Sequence, residues 1–114
     1  MVVHGSSREV DRVFQALSDA TRRDILARAI DVGQSVSSLA RHYEMSFAAV
    51  QKHVAVLERA ALVTKQRRGR EQIVHGNPST LRTASTLLDA YEQIWIRRAT
   101  QLADVLAGEE GKGT

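Results

Sequence analysis

Four cationic side chains, Lys65, Arg67, Arg68 and Arg70, lie between Leu62 and Gly76 against a single acid, Glu71. That stretch alone carries as much net charge as the whole 114-residue chain, which stands at +3. A local basic cluster is the usual footprint of a polyanionic partner. It is also what a solvated charge run looks like, and charge alone leaves both readings open. A second set stands just upstream: Ser46, Phe47, Ala48, Ala49, Gln51, Lys52 and Ala55. These are mostly small or hydrogen-bonding residues, and no acid is among them. Glutamine can pair with an adenine edge and lysine with guanine or phosphate, while alanine can touch a thymine methyl group.

Other chemistry is poorly provided for. The chain has no cysteine, so disulfides, thiolate metal sites and thiol redox sensing are excluded. His4, His42, His53 and His75 are scattered, with no i, i+4 pairing. Paired carboxylates, a nucleophile with its base, a Gly-rich phosphate loop and a metal cluster are all missing. No catalytic residue, no cofactor and no enzymatic activity is expected. No apolar run approaches the ~18 residues that span a bilayer. The start, MVVHGSSREV, lacks the apolar core of a signal peptide. The expectation is a cytoplasmic protein with no membrane partner.

The elements that would hold the two sets can be read from periodicity. Hydrophobic residues are 43% and charged residues 25% of the chain, which fits one ordinary globular domain. Aromatic residues are only 4%, and one proline and seven glycines leave little room for a β-rich fold. Residues 1–8 carry no period and are expected to be a flexible N-terminus. Val10, Val13, Phe14 and Leu17 form one helical face. Ser18-Asp19 offers an N-cap for a second helix, with Ile25, Leu26, Ala29 and Ile30 inward and Val32-Gly33 at its end. Ser37 is expected to cap a short third helix whose buried side is Leu39, Ala40 and Tyr43.

Glu44-Met45 then makes a tight connection, and Ser46 caps a fourth helix over 46–60. Met45 and Val50 are spaced as a hydrophobic staple. Val50, Val54 and Leu57 form the inward stripe, which leaves the Gln51 and Lys52 side outward. Two strands, 62–67 and 71–75, flank Arg68-Gly69-Arg70 and make a basic hairpin over 62–76. Asn77-Pro78 starts a last helix over 78–107. Residues 108–114 are expected to form a flexible tail.

Helix, tight turn, capped helix and basic hairpin, in that order, match a helix-turn-helix whose second helix enters a major groove. Arginines at a hairpin tip suit a phosphate backbone or a narrow minor groove. With Ser37, the expected DNA-facing set is Ser37, Ser46, Phe47, Ala48, Ala49, Gln51, Lys52, His53, Lys65, Arg67, Arg68 and Arg70. His53 has two readings, a phosphate or base contact and a surface histidine packed under the hairpin.

In the last helix Leu81, Leu88, Trp95 and Leu102 recur every seven residues, Ala84, Tyr91 and Val105 fill the alternate seam, and Arg98 interrupts it. This is too much apolar surface to leave wet. A chain of this size buries only roughly 60–65% of its unfolded surface, so a core shared with a second copy is expected. The expected interface is Val10, Val13, Phe14, Leu81, Leu88, Tyr91, Trp95 and Leu102. Tyr91 and Trp95, one turn apart, suit plain interface packing better than a pocket for a small-molecule inducer, and such an inducer stays open as a partner.

The segments LSDATRRDIL (17–26), SVSSLARHYEMSFAAVQKHVAVLERAALV (35–63) and RRGREQIVHGNPS (67–79) resemble the ArsR-type winged-helix repressors. The resemblance covers roughly Arg8 to Leu106. It implies a mostly α fold of five helices with a two-stranded β wing, spanning 9–107. It implies a homodimer through the first and last helices, the fourth helix as reader, and repression of transcription from double-stranded DNA. Reading helices about 34–36 Å apart would make the operator an imperfect inverted repeat. A winged helix used for protein or RNA contact, without an operator, is the alternative.

Two local departures stand out. The family's usual proline after Ser-Asp is Ala20, and its usual glycine before Leu-Val is Ala61. Ala61 is expected to make the fourth helix end differently by a residue or so. Relatives that sense metal use cysteines in the third helix, where this chain has Val36-Ser37-Ser38-Leu39. Others use carboxylates with histidines on the last helix, where this chain has Asp89, Glu92 and Asp104 but no histidine. No metal site of either kind is expected.

Overall fold

A computed structural model of the chain describes residues 4–112. Residues 1–3 and 113–114, the outer parts of the two expected flexible ends, lie outside the described residues. The element order is α1 (His4–Leu17), α2 (Ala20–Asp31), β1 (Gln34–Ser35), α3 (Val36–Ala40), α4 (Phe47–Arg59), β2 (Val63–Arg68), β3 (Glu71–Gly76) and α5 (Pro78–Lys112). The chain divides into two compact units between Arg82 and Thr83, inside α5.

In the first unit, α2, α3 and α4 pack on one another's neighbours and on the sheet, with α1 against α2 and α4. Its core is aliphatic: Ile25, Leu39, Val50, Val54, Leu57, Leu62, Val63 and Val74 are all fully buried. Among the described residues no polar or charged residue is buried. Each large aliphatic side chain withdrawn from water contributes about 1.5–3 kcal/mol against chain entropy. Val13, expected at the interface, is only 4% exposed and belongs to this core.

The caps explain why the helices begin where they do. Asp19, in extended conformation, accepts the Arg22 N–H and opens α2 at 3.0 Å. The first cap of α3 differs from expectation, because Ser35 and not Ser37 accepts the Ser38 N–H at 3.0 Å. The reason is a strand that the sequence pattern did not reveal. Gln34 and Ser35 pair antiparallel with Val74 and Ile73, which keeps the backbone extended up to Ser35 and starts the helix at Val36. The sheet therefore has three strands in the order β1-β3-β2, with the basic hairpin formed by β2 and β3.

Ile30, expected inward, is 53% exposed. It lies across the end of β3, where a Cβ on Gly76 would fall 2.6 Å from Ile30 Cγ1.

Helix α4 ends on Ala61, which has φ 59°. The expectation of a displaced end is not met. Ala61 adopts the left-handed conformation that the family's glycine would take. The Ala61 N–H donates to Glu58 O at 2.9 Å and the Leu62 N–H to Leu57 O at 3.0 Å. These are the two bonds of a Schellman closure. Leu57 and Leu62, the apolar pair of that motif, are both fully buried. Asn77 completes the closure: its Nδ2 donates to Ala61 O at 2.9 Å and its backbone N–H to Leu62 O at 2.8 Å. These bonds outweigh the roughly 1–2 kcal/mol that a left-handed non-glycine residue costs.

The second unit is the continuing helix α5. It runs to Lys112, past the expected end near 107. From Leu88 to Gly108 every side chain of the single chain is exposed. Among the described residues no helix is long and apolar enough to cross a membrane.

Candidate nucleic-acid interface

Ser46, with φ −66° and ψ 155°, accepts the Ala49 N–H at 3.1 Å and so sets the first turn of α4. Val50, Val54 and Leu57 then point into the core, and the rest of the helix surface follows from its 3.6-residue period. Ser46, Phe47, Ala48, Gln51 and Lys52 are exposed, and Ala49 and His53 are half-buried. Phe47 is 46% exposed, unusual for a large aromatic residue on a single-chain surface. Ser37, on α3, is also exposed. No acid lies between Ser46 and Leu57, so this face is neutral to positive over the first three turns of α4; the exposed Glu58 follows two turns after Gln51 on the same side.

The hairpin buries apolar side chains at its base only. Val63 is buried, and every later residue of β2 is exposed. The ladder runs from Val63 opposite Gly76 to Arg68 opposite Glu71. Arg68 is therefore part of the ladder, and the connecting turn is Gly69-Arg70, shorter than the three-residue connection expected. Gly69 takes φ 64°, which a side chain would resist. The Arg67 Nε donates to Gly69 O at 3.3 Å, bracing the turn. Arg67, Arg68 and Arg70 are all exposed.

Lys65 stands apart from these arginines. Its Nζ lies 3.3 Å from Glu58 Oε1. An internal carboxylate thus takes part of the charge of the basic cluster.

His53 is half-buried and has a partner on α2. Its Nδ1 faces Arg22 Nη1 at 3.4 Å, on the α2 side. A guanidinium only donates, so this contact is a hydrogen bond when the ring presents an unprotonated Nδ1. Arg22 is a residue that sequence reasoning missed. Its Nε donates to Ala16 O at 2.7 Å and its Nη2 to Gln15 O at 3.1 Å. Arg23 Nη1 donates to Leu17 O at 2.7 Å. Two arginines thus satisfy the last carbonyls of α1 and favour its negative end. The signal was available: Arg22 and Arg23 stand in the first turn of a helix separated from the end of α1 by only two residues. The Arg22 N–H, first among the causes, also holds the Asp19 carboxyl below its usual range.

A second missed cluster joins α2 to the segment after α3. The Tyr43 hydroxyl donates to Asp24 Oδ2 at 2.5 Å, and Arg28 Nε donates to the same oxygen at 2.8 Å. Tyr43 was expected as plain core. It is half-buried, and its hydroxyl is used. Burial, followed by its bond to Asp24, raises the phenol from 10.0 to about 12. The bonds from Tyr43 and Arg28 lower the Asp24 carboxyl.

Among the described residues no group of three or more His, Cys, Asp or Glu could hold a metal ion.

No family model matches the chain. Individual proteins do. The chain is 35% identical over 102 residues to the HTH-type transcriptional regulator Rv2034 of Mycobacterium tuberculosis, covering 90% of this chain and 92% of that protein. It is 30% identical over 60 residues to the transcriptional repressor SdpR of Bacillus subtilis, covering 53% of this chain and 67% of the repressor. Its fold matches the solved ArsR-like transcriptional regulator from Rhodococcus sp. RHA1 with a TM-score of 0.76 and 33% identity, over 89% of this chain and 95% of that one. The near-full coverage, and the helix-turn-helix followed by a small antiparallel wing, lead to one conclusion: the chain belongs to the ArsR-type winged helix-turn-helix transcriptional regulators.

Proposed function

We propose that the chain is a homodimeric repressor that binds an imperfect inverted repeat in duplex DNA, and that it acts by binding without catalysis. The observation that carries this reading is the exposed, acid-free surface of the first three turns of α4 together with a hairpin tipped by three exposed arginines. Ser46, Phe47, Ala48, Ala49, Gln51 and Lys52 fit a major groove, Ser37 lies on the neighbouring helix, and Arg67, Arg68 and Arg70 reach phosphates or a minor groove. His53 serves indirectly, by holding α4 to Arg22. Lys65 is a weaker contact than the arginines because it is shared with Glu58. Repression follows the name of the Bacillus subtilis relative. The homodimer follows from the exposed apolar side chains of α5.

The test separates positioning from reading. Arg68→Ala and Arg70→Ala should weaken binding to every duplex and lower the salt slope by about 1 each. Gln51→Ala should relax preference at particular bases by roughly 1–3 kcal/mol. Absence of any duplex binding at low salt would defeat the proposal.

A further inference from the structure

Outside α5, the large apolar side chains left exposed among the described residues are Ile30, Val32 and Phe47. Ile30 and Val32 stand at the end of α2, whereas Phe47 is the first residue of α4. It is 46% exposed. Ser46 turns its hydroxyl onto the Ala49 N–H at 3.1 Å, Ala48 and Ala49 stop at Cβ, and Val50 is buried in the core. Phe47 is therefore the one side chain of the first turn that extends outward past a Cβ. Gln51 lies four residues on, on the same side of the helix. A helix that enters the major groove brings its N-terminal residues to the base edges. A phenyl ring has no hydrogen bond to offer those edges. Across the four base pairs they present donors, acceptors and one apolar group, the C5-methyl of thymine.

We propose that Phe47 reads the C5-methyl group of a pyrimidine in the major groove, and so selects thymine or 5-methylcytosine at one position of each half-site. The inference rests on the reading of α4 as the groove-entering helix and adds what one of its residues recognises. Two opposing terms make the ring selective. Laid on a methyl group, it removes apolar surface from water on both sides of the contact. Laid on an unmethylated edge, it strips water from base donors and acceptors and returns no hydrogen bond, which costs free energy. Specificity is the difference between the two. 5-Methylcytosine carries its methyl on the same ring atom as thymine, so the determinant is the methyl and not the whole base. Gln51, one turn along, suits an adenine edge, so the two side chains divide the task between a polar edge and an apolar one.

Duplexes that the wild-type chain selects from a random-sequence pool supply the DNA for the test. Replacing their thymines one at a time with deoxyuridine removes the methyl and leaves every hydrogen-bonding group in place. At one thymine of each half-site this should weaken wild-type binding roughly fourfold, the worth of one buried carbon. The same replacement should leave Phe47→Ala binding unchanged, and Phe47→Leu should keep part of the discrimination. With cytosine at that position, methylating its C5 should tighten wild-type binding by a similar factor and leave Phe47→Ala indifferent. A wild-type chain indifferent to deoxyuridine at every thymine would overturn the inference while leaving the DNA reading intact, and that arm needs no variant to fold. A methyl effect that persists undiminished in Phe47→Ala would overturn it too, by assigning the contact to Ala48 or Ala49. A response to deoxyuridine with none to 5-methylcytosine would overturn the methyl as the determinant. A wild-type chain that selects no duplex at low salt would overturn the DNA reading itself.

Discussion

The Lys65 ammonium and the Glu58 carboxylate, 3.3 Å apart, tie the wing's first strand, β2, to the last turn of α4. In a DNA complex the lysine must divide its charge between this carboxylate and a phosphate. Lys65→Ala should therefore cost less affinity than Arg68→Ala or Arg70→Ala. Glu58→Gln should release the lysine, tighten binding to duplexes of any sequence and steepen the salt slope by up to about 0.9. Fluorescence anisotropy across a salt series measures both. A Lys65→Ala loss equal to that of the tip arginines would show that the bridge opens freely.

Ala61 at φ 59° stores a local cost that a glycine would not. Ala61→Gly should leave stability unchanged or raise it, by about 0–1.5 kcal/mol. That is the left-handed penalty of about 1–2 kcal/mol less the extra chain entropy of glycine, about 0.5–1 kcal/mol. The urea midpoint reads this directly, with the slope unchanged. A destabilised Ala61→Gly would mean that the alanine methyl makes a contact worth more than the strain.

The Tyr43–Asp24–Arg28 cluster predicts the pH dependence of stability. The Asp24 carboxyl is lowered from 3.8 in the folded chain. Its contribution is present above the unfolded value and is lost as pH falls through the lower folded one. The Tyr43 phenol is raised from 10.0 to about 12. The folded chain then holds the phenolic proton more tightly, so stability falls as pH climbs from 10 towards 12. Tyr43→Phe should cost about 0.5–1.5 kcal/mol near neutrality and flatten the alkaline limb. Urea midpoints of both chains across pH would reveal an unchanged limb if Tyr43 were not responsible.

Gly33 sits beside the His75 ring, where a Cβ would lie 2.3 Å from Cε1. The ring's Nε2 is buried, and the ring lies directly against the Gly33 backbone. Gly33→Ala should destabilise by about 1–3 kcal/mol through overpacking. His75→Ala in the same chain should recover part of that loss. Thermal unfolding of the single and double variants checks the coupling, and additive losses would place the damage elsewhere.

Much of this architecture is legible in the residues because its determinants are local. Asp19 and Ser46 cap helices with their own side chains, and Val50, Val54 and Leu57 repeat at helical spacing. The Arg-Gly-Arg hairpin has its turn residue in place. What escaped depends on partners distant in sequence. Ser35 displaces Ser37 as a cap because β3, about forty residues later, holds Gln34 and Ser35 extended. Ala61 keeps a glycine-like conformation because Asn77 grips its carbonyl. The site was legible by face but not by pairing. Gln51 and Lys52 are exposed as expected, whereas His53 and Lys65 are engaged by Arg22 and Glu58, which only the fold brings near.

The wing is held to the core by Val63 at the start of β2 and Val74 in β3, with Ile73 half-buried beside it, and the rest of β2 buries nothing. Exposed positions of this kind usually change stability by less than about 0.5 kcal/mol when replaced. Residues 66–72 can therefore drift in charge and length while the helices stay folded. A lineage could retune how firmly this protein grips its target, or which groove it enters, by altering the hairpin without having to rebuild the scaffold that carries it.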